Sequence, residues 1–170
     1  LTVDAGSLVP SGATSLTLNV TAVAPCSNGY LAVYSCGVPP RVSSMNYAAG
    51  RTSSTMTVTA LAGTTFCVYS SASADVVVDL VGAFAPDGAL FHPMTPTRWA
   101  NSLGPTWQVP VPASPYNPGV QIDIPVAGHG AVPANATAAA VTVAAINSQW
   151  PGSIGMYPGP CRANPPGTAT

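Results

Sequence analysis

Few residues in this chain carry groups that catalysis can use. The 170 residues include five acidic side chains, all Asp, four basic ones, all Arg, and two His, with neither Glu nor Lys. Hydrolytic or transfer chemistry needs a nucleophile beside a base, a pair of carboxylates, or a metal. His92 stands in a proline-flanked stretch and His129 in the glycine turn Gly128–Gly130, so each reads as a loop histidine. Asp75 and Asp79 are four apart on a strand-like run, so both face the same way. That placement would suit a paired-acid site. A carboxylate among the valines around Asp79 needs a partner, however. Arg98 or a backbone cap is the plainer account, and Asp79 reads as a structural carboxylate. Asp75 or Asp87 is a weaker candidate for calcium. No GxSxG, HExxH or Cys–His signature occurs. The expectation is a non-enzyme with no catalytic residues, no cofactor and no metal site.

Two other residue classes could do chemistry. Cys26, Cys36, Cys67 and Cys161 fit disulfides in an oxidising compartment, and their spacing matches no zinc pattern. Buried free thiols are the other reading. Trp99, Trp107, Trp150 and several tyrosines could form a stacking platform for sugar rings. Trp150 precedes Pro151-Gly152, which puts it at a loop tip, whereas Trp107 opens a strand-like run and reads as core. Trp150, Tyr157 and Trp99 are the candidate binding residues, with protein packing as the competing use. The sequons at Asn19 and Asn135 lie in or beside strand patterns and read as chance.

Composition bounds the partners. Charged residues are 5% of the chain and the net charge is −1, against about 25% charged in an average domain. Nothing in such a chain neutralises a phosphate backbone or an anionic lipid surface. No run of 18 apolar residues occurs, so no membrane insertion is expected. Hydrophobic residues make up 47%, enough to bury a core in spite of 19 Pro and 16 Gly. The chain opens at Leu1 with no signal peptide, as a mature form or a fragment would.

The elements that would position these residues are strands. Thr14–Val23 alternates with Leu16, Leu18 and Val20 on one side, and Thr55–Leu61 alternates with Met56, Val58 and Ala60 inward. Gly29–Tyr34, Thr65–Tyr69, Trp107–Val111 and Gln121–Val126 read as further strands. Asp75–Val81 is apolar on both faces and predicts a central, buried strand. Pro, Gly, Asn and Ser clusters separate these runs. The fold class expected is all-β, an antiparallel sandwich or jelly roll.

Asn135–Ile146 is Ala-rich and by propensity alone would favour a helix. A shift of 123 residues places 9–25 on 132–148 with six identities over 17 positions. Ala139–Ile146 then falls on a strand pattern and is expected to be one. The chain thus reads as a degenerate repeat: 1–86 a first copy lacking its opening strands, 87–119 a Pro-rich connector with short strands, 120–170 an incomplete second copy. Each copy lacks strands that the other has.

GYLAVYSCG (29–37), PP (39–40), MNYAAGRT (45–52), CVYSSASADVVVDLVGAFAP (67–86), MTPTR (94–98) and IPVAGHGAVPANAT (124–137) form an ordered series. Together they resemble the tandem extracellular modules of secreted and cell-surface actinobacterial proteins. Those run through motifs like GYLTVYPCG, NLNYxxGQT, CVYS, DVVVDVxGYF and PTRLLDTR. The resemblance covers nearly the whole chain and implies a β-rich, non-catalytic, secreted or cell-surface accessory module, often beside polymer-degrading enzymes. It also implies a Cys36–Cys67 disulfide. Cys161 resembles Cys36 in the second copy, Cys26 is an addition, and a Cys26–Cys161 pair is the weaker corollary. The chain departs from the pattern at Trp99–Ser102, where Leu-Asp-Thr-Arg is usual, and at Ala83, where an aromatic is usual. The expected function is structural, with half domains completed by neighbouring chains into a surface fibre or coat. The expected partners are other copies or neighbouring surface proteins. The alternative is an accessory module that binds cell-wall or other polysaccharide.

Overall fold

The computed structural model describes residues 1–103, 117, 119–150, 152 and 154–160. The chain divides into two compact units, Leu1–Leu90 and Phe91–Thr170. All of the described regular structure lies in the first unit. It comprises β1 (Thr2–Asp4), a 3-10 turn (Gly6–Leu8), β2 (Ser15–Val23), β3 (Gly29–Tyr34), β4 (Met45–Tyr47), β5 (Ser53–Ala60), β6 (Thr65–Ser70) and β7 (Asp75–Phe84).

Seven strands make two antiparallel sheets, ordered β1-β6-β3-β4 and β5-β2-β7. Their inner faces meet in one core, with Leu16, Leu18, Val20 and Ala22 from β2 against Leu31, Val33, Met45, Tyr47, Phe66 and Val68 from the other sheet. The protein's first unit is therefore an all-β sandwich. Alternation explains most of it, because β2, β3 and β6 each offer one apolar face and two such faces are covered only by stacking. Gly29 sits opposite Tyr47 in the ladder, and a Cβ there would come within 2.7 Å of the tyrosine ring. Only glycine leaves room for that ring.

Several expectations need correction. β5 is in the opposite phase, with Thr55, Thr57 and Thr59 turned to the core side and Met56, Val58 and Ala60 exposed. Register dictates this. Thr59, Thr57 and Thr55 pair with Leu16, Leu18 and Val20, and directly paired residues share a face. β2 has the stronger apolar face, so its phase sets that of β5.

β7 is an edge strand paired with β2 alone among the described residues, not a central one. A bulge between Thr17↔Gly82 and Leu18↔Leu80 bends it, and Val77, Leu80, Val81 and Phe84 are exposed. β2 takes the central place because its shorter apolar stripe lies entirely inward.

Residues 121–126 and 139–146 form no strand. The positions matching Leu16 and Leu18 are Ala139 and Val141, so far less apolar area is available to reward pairing. The 123-residue repeat therefore has no structural counterpart there. Trp107–Val111 lies outside the described residues. No strand occurs among the described residues of 87–119.

Candidate functional site

The chemically distinctive residues of the first unit fall on the two outer faces of the sandwich. On the β5-β2-β7 sheet, Asn19 is only 7% exposed although it points away from the core. Met56 and Asp79 flank it across the ladder. Its Nδ2 donates to Asp79 Oδ2 at 3.3 Å. Asp79 thus has a side-chain hydrogen-bond partner in the Asn19 amide. The Thr21 and Ser54 hydroxyls meet at 2.9 Å in the next row. Around this polar strip the face is apolar, with Met56 56%, Val58 58%, Val81 56% and Phe84 46% exposed. The alternation in Thr55–Leu61 contains both faces, yet nothing local to β5 tells which one is covered.

The outer face of the other sheet is aromatic. Tyr30 and Tyr34 lie on β3 and flank Ala32, which pairs directly with Tyr69 of β6. The Tyr30 and Tyr69 ring centroids are 5.8 Å apart at 48°. Cys67 pairs with Tyr34 on the same face and is bonded to Cys36, with Cα atoms 4.9 Å apart and a sequence separation of 31. Disulfide partners usually have Cα atoms about 4.4–6.8 Å apart. The Cys36–Cys67 pairing implied by the resemblance is present. Cys26 is an exposed free thiol, and Cys161 lies outside the described residues. Sequence reasoning does not single out Tyr30, Tyr34 and Tyr69, although the i, i+4 spacing within GYLAVYSCG could have done so.

The expected binding residues belong to the second unit. Trp99 Nε1 donates to the Pro125 carbonyl at 2.9 Å, and the Tyr157 hydroxyl donates to Gln121 Oε1. Both polar ends hold their own segments. Trp150 is 80% exposed and lines an open hollow of about 160 Å³ with Ala145, Ser148, Gly152 and Ile154. Trp99 and Tyr157 are not part of that lining. His92 and His129 are exposed in loops. Among the described residues no cluster of three or more His, Cys or Asp could hold a metal, and no helix is long and apolar enough to cross a membrane.

Comparison with known proteins gave no match: no family model fits the chain, and no curated protein or solved structure is similar enough to serve as a relative.

Proposed function

We propose that the chain is an extracellular, non-catalytic structural module that assembles with copies of itself through strand edges into a surface fibre or coat. The observation that carries this reading is the edge of β7. Ten residues long, DVVVDLVGAF contains neither Pro nor Lys and is paired on one side only among the described residues. Soluble proteins usually blunt such an edge, because its free N–H and C=O groups template a further strand. The bulge near Val81 interrupts only the C-terminal half and leaves Asp75–Asp79 regular. The exposed Val77, Val81 and Phe84 of β7 itself, with Met56 and Val58 two strands away on the same sheet, offer an incoming strand something to cover.

Further support comes from composition and location. A chain with 5% charged residues has little repulsion to oppose self-association. The Cys36–Cys67 disulfide suits an oxidising, extracellular setting, and the resemblance to actinobacterial surface modules points the same way. Residues 138–146 of a neighbour, which match β2 in sequence and form no strand of their own, are the natural donor segment.

Size-exclusion chromatography with light scattering, followed by electron microscopy, tests this on the whole chain. Concentration-dependent oligomers or filaments are expected, and Val77→Lys with Met56→Lys should disperse them. A monomer that persists at high concentration would defeat the assembly reading.

A further inference from the structure

The tyrosine face of the β1-β6-β3-β4 sheet has no part in strand-edge assembly, and its chemistry differs from that of the opposite sheet. Tyr30 and Tyr34 are four residues apart on β3, which places them about 13 Å apart along the strand. Ala32 lies between them, fully covered, with Tyr69 directly opposite it. Three rings thus surround one small side chain. Asn46 pairs with Tyr30 on the next strand and is exposed, so an amide extends the row.

The hydroxyls separate these tyrosines from the structural ones. The Tyr47 hydroxyl, in the core, bonds Ser70 Oγ at 2.7 Å and donates to the Ala72 carbonyl at 3.1 Å. No hydrogen bond to another described residue engages the side-chain hydroxyls of Tyr30, Tyr34 or Tyr69. Buried tyrosines normally find a partner for that group. Tyr30 and Tyr34 are only half-buried, and Tyr69 is 36% exposed.

The face is also neutral. The one charged side chain on the four strands is Asp4, at the far end of β1, where its Oδ1 accepts the Gly6 N–H at 2.9 Å. An anionic or cationic ligand would gain nothing here. A polyhydroxylated, uncharged one would, because the C–H faces of pyranose rings stack on aromatic faces while their hydroxyls meet phenols and an amide.

We infer that Tyr30, Tyr34 and Tyr69, with Asn46 at the rim, form a binding platform for a neutral, extended polysaccharide of the β-1,4-linked class. Rings spaced along β3, with a third across from Ala32, suit a ribbon-like chain laid along that strand. This inference does not rest on the assembly proposed above.

Native affinity electrophoresis of the full chain in gels containing hydroxyethylcellulose tests it, with polygalacturonate as the charged control. The expected result is retardation by the neutral glycan only. Tyr34→Ala and Tyr69→Ala should each weaken binding about tenfold, a typical consequence of losing one stacked ring. Tyr34→Phe and Tyr69→Phe keep the ring and the packing, so they should lose only a few-fold while keeping the parent melting temperature. Trp150→Ala should bind as the parent does. Absence of retardation by the neutral glycan overturns the inference, as does equal retention of all the tyrosine variants. So does dependence on Trp150, or a Tyr69→Ala variant that changes only self-association, which would make this face a protein contact.

Discussion

Two segments that match each other in sequence meet opposite structural fates. Ser15–Val23 is the central strand β2 of its sheet, with Leu16, Leu18 and Val20 almost completely buried. Residues 138–146, its match at a shift of 123, are exposed and form no strand. The difference lies in what each can bury. At the core-facing positions β2 has Leu16, Leu18, Val20 and Ala22, where its match has Ala139, Val141, Val143 and Ala145. A strand's backbone gains little by exchanging water for a ladder unless its side chains cover apolar area as well. β2 also has β5 and β7 as neighbours on either side. Alternation is therefore necessary for a strand and insufficient by itself.

The largest effect that could break this picture concerns the phase of β5, which follows β2. Thr59→Asp puts an unpaired carboxylate beside Leu16 and should cost more than about 4 kcal/mol. Val58→Asp, on the exposed face, should change stability by about 0.5 kcal/mol or less. Denaturant unfolding of the two variants checks this, and equal costs would mean that the register is wrong.

A direct contrast between the two segments comes next. Leu18→Ala should cost about 3–4 kcal/mol through lost transfer and a residual cavity. Val141→Ala, at the matching position, should shift stability by about 0.5 kcal/mol at most. A comparable loss in both would show that 138–146 is packed after all.

Replacing both Cys36 and Cys67 by Ser should remove about 3–4 kcal/mol, since the bridge closes a loop with a sequence separation of 31. Peptide mapping without reductant should recover the two cysteines as one linked pair. Recovery of both as free thiols would remove this cross-link from the account of β3 and β6.

The smallest effect belongs to the polar strip on the outer face of the β2 sheet. Asp79→Asn weakens a charge-assisted bond from the Asn19 amide and should cost about 1 kcal/mol, or about 4–8 °C in melting temperature for a unit of this size. Val77→Ala beside it should be close to neutral. If Asp79→Asn leaves the melting temperature unchanged yet abolishes a binding activity, Asp79 has a ligand role in place of a structural one.

Much of the fold is legible in the residues alone. Strand-like runs punctuated by Pro, Gly and Ser, alternating in β2 and β5 and continuously apolar in β7, locate β2, β3, β5, β6 and β7 within a few residues and assign the all-β class. The motif series around GYLAVYSCG and CVYS implies the Cys36–Cys67 bridge. The short strands β1 and β4, three residues each, have too few positions to show a period. They exist because the edges of β6 and β3 accept them.

Tertiary structure alone decided the rest, and each case has one physical reason. Alternation defines two faces of a strand without saying which is covered, so the inward threonines of β5 follow from pairing with β2. A run of valines marks a strand without fixing its place in the sheet, so β7 lies at an edge. Asp79 needs a partner by any desolvation argument, but only the β2–β7 register brings Asn19 to it. Tyr30, Tyr34 and Tyr69 share a surface because β3 and β6, more than thirty residues apart in the chain, are neighbours in the sheet. Local residue order sets what a segment can become, and the non-local ladder decides which face of it meets water.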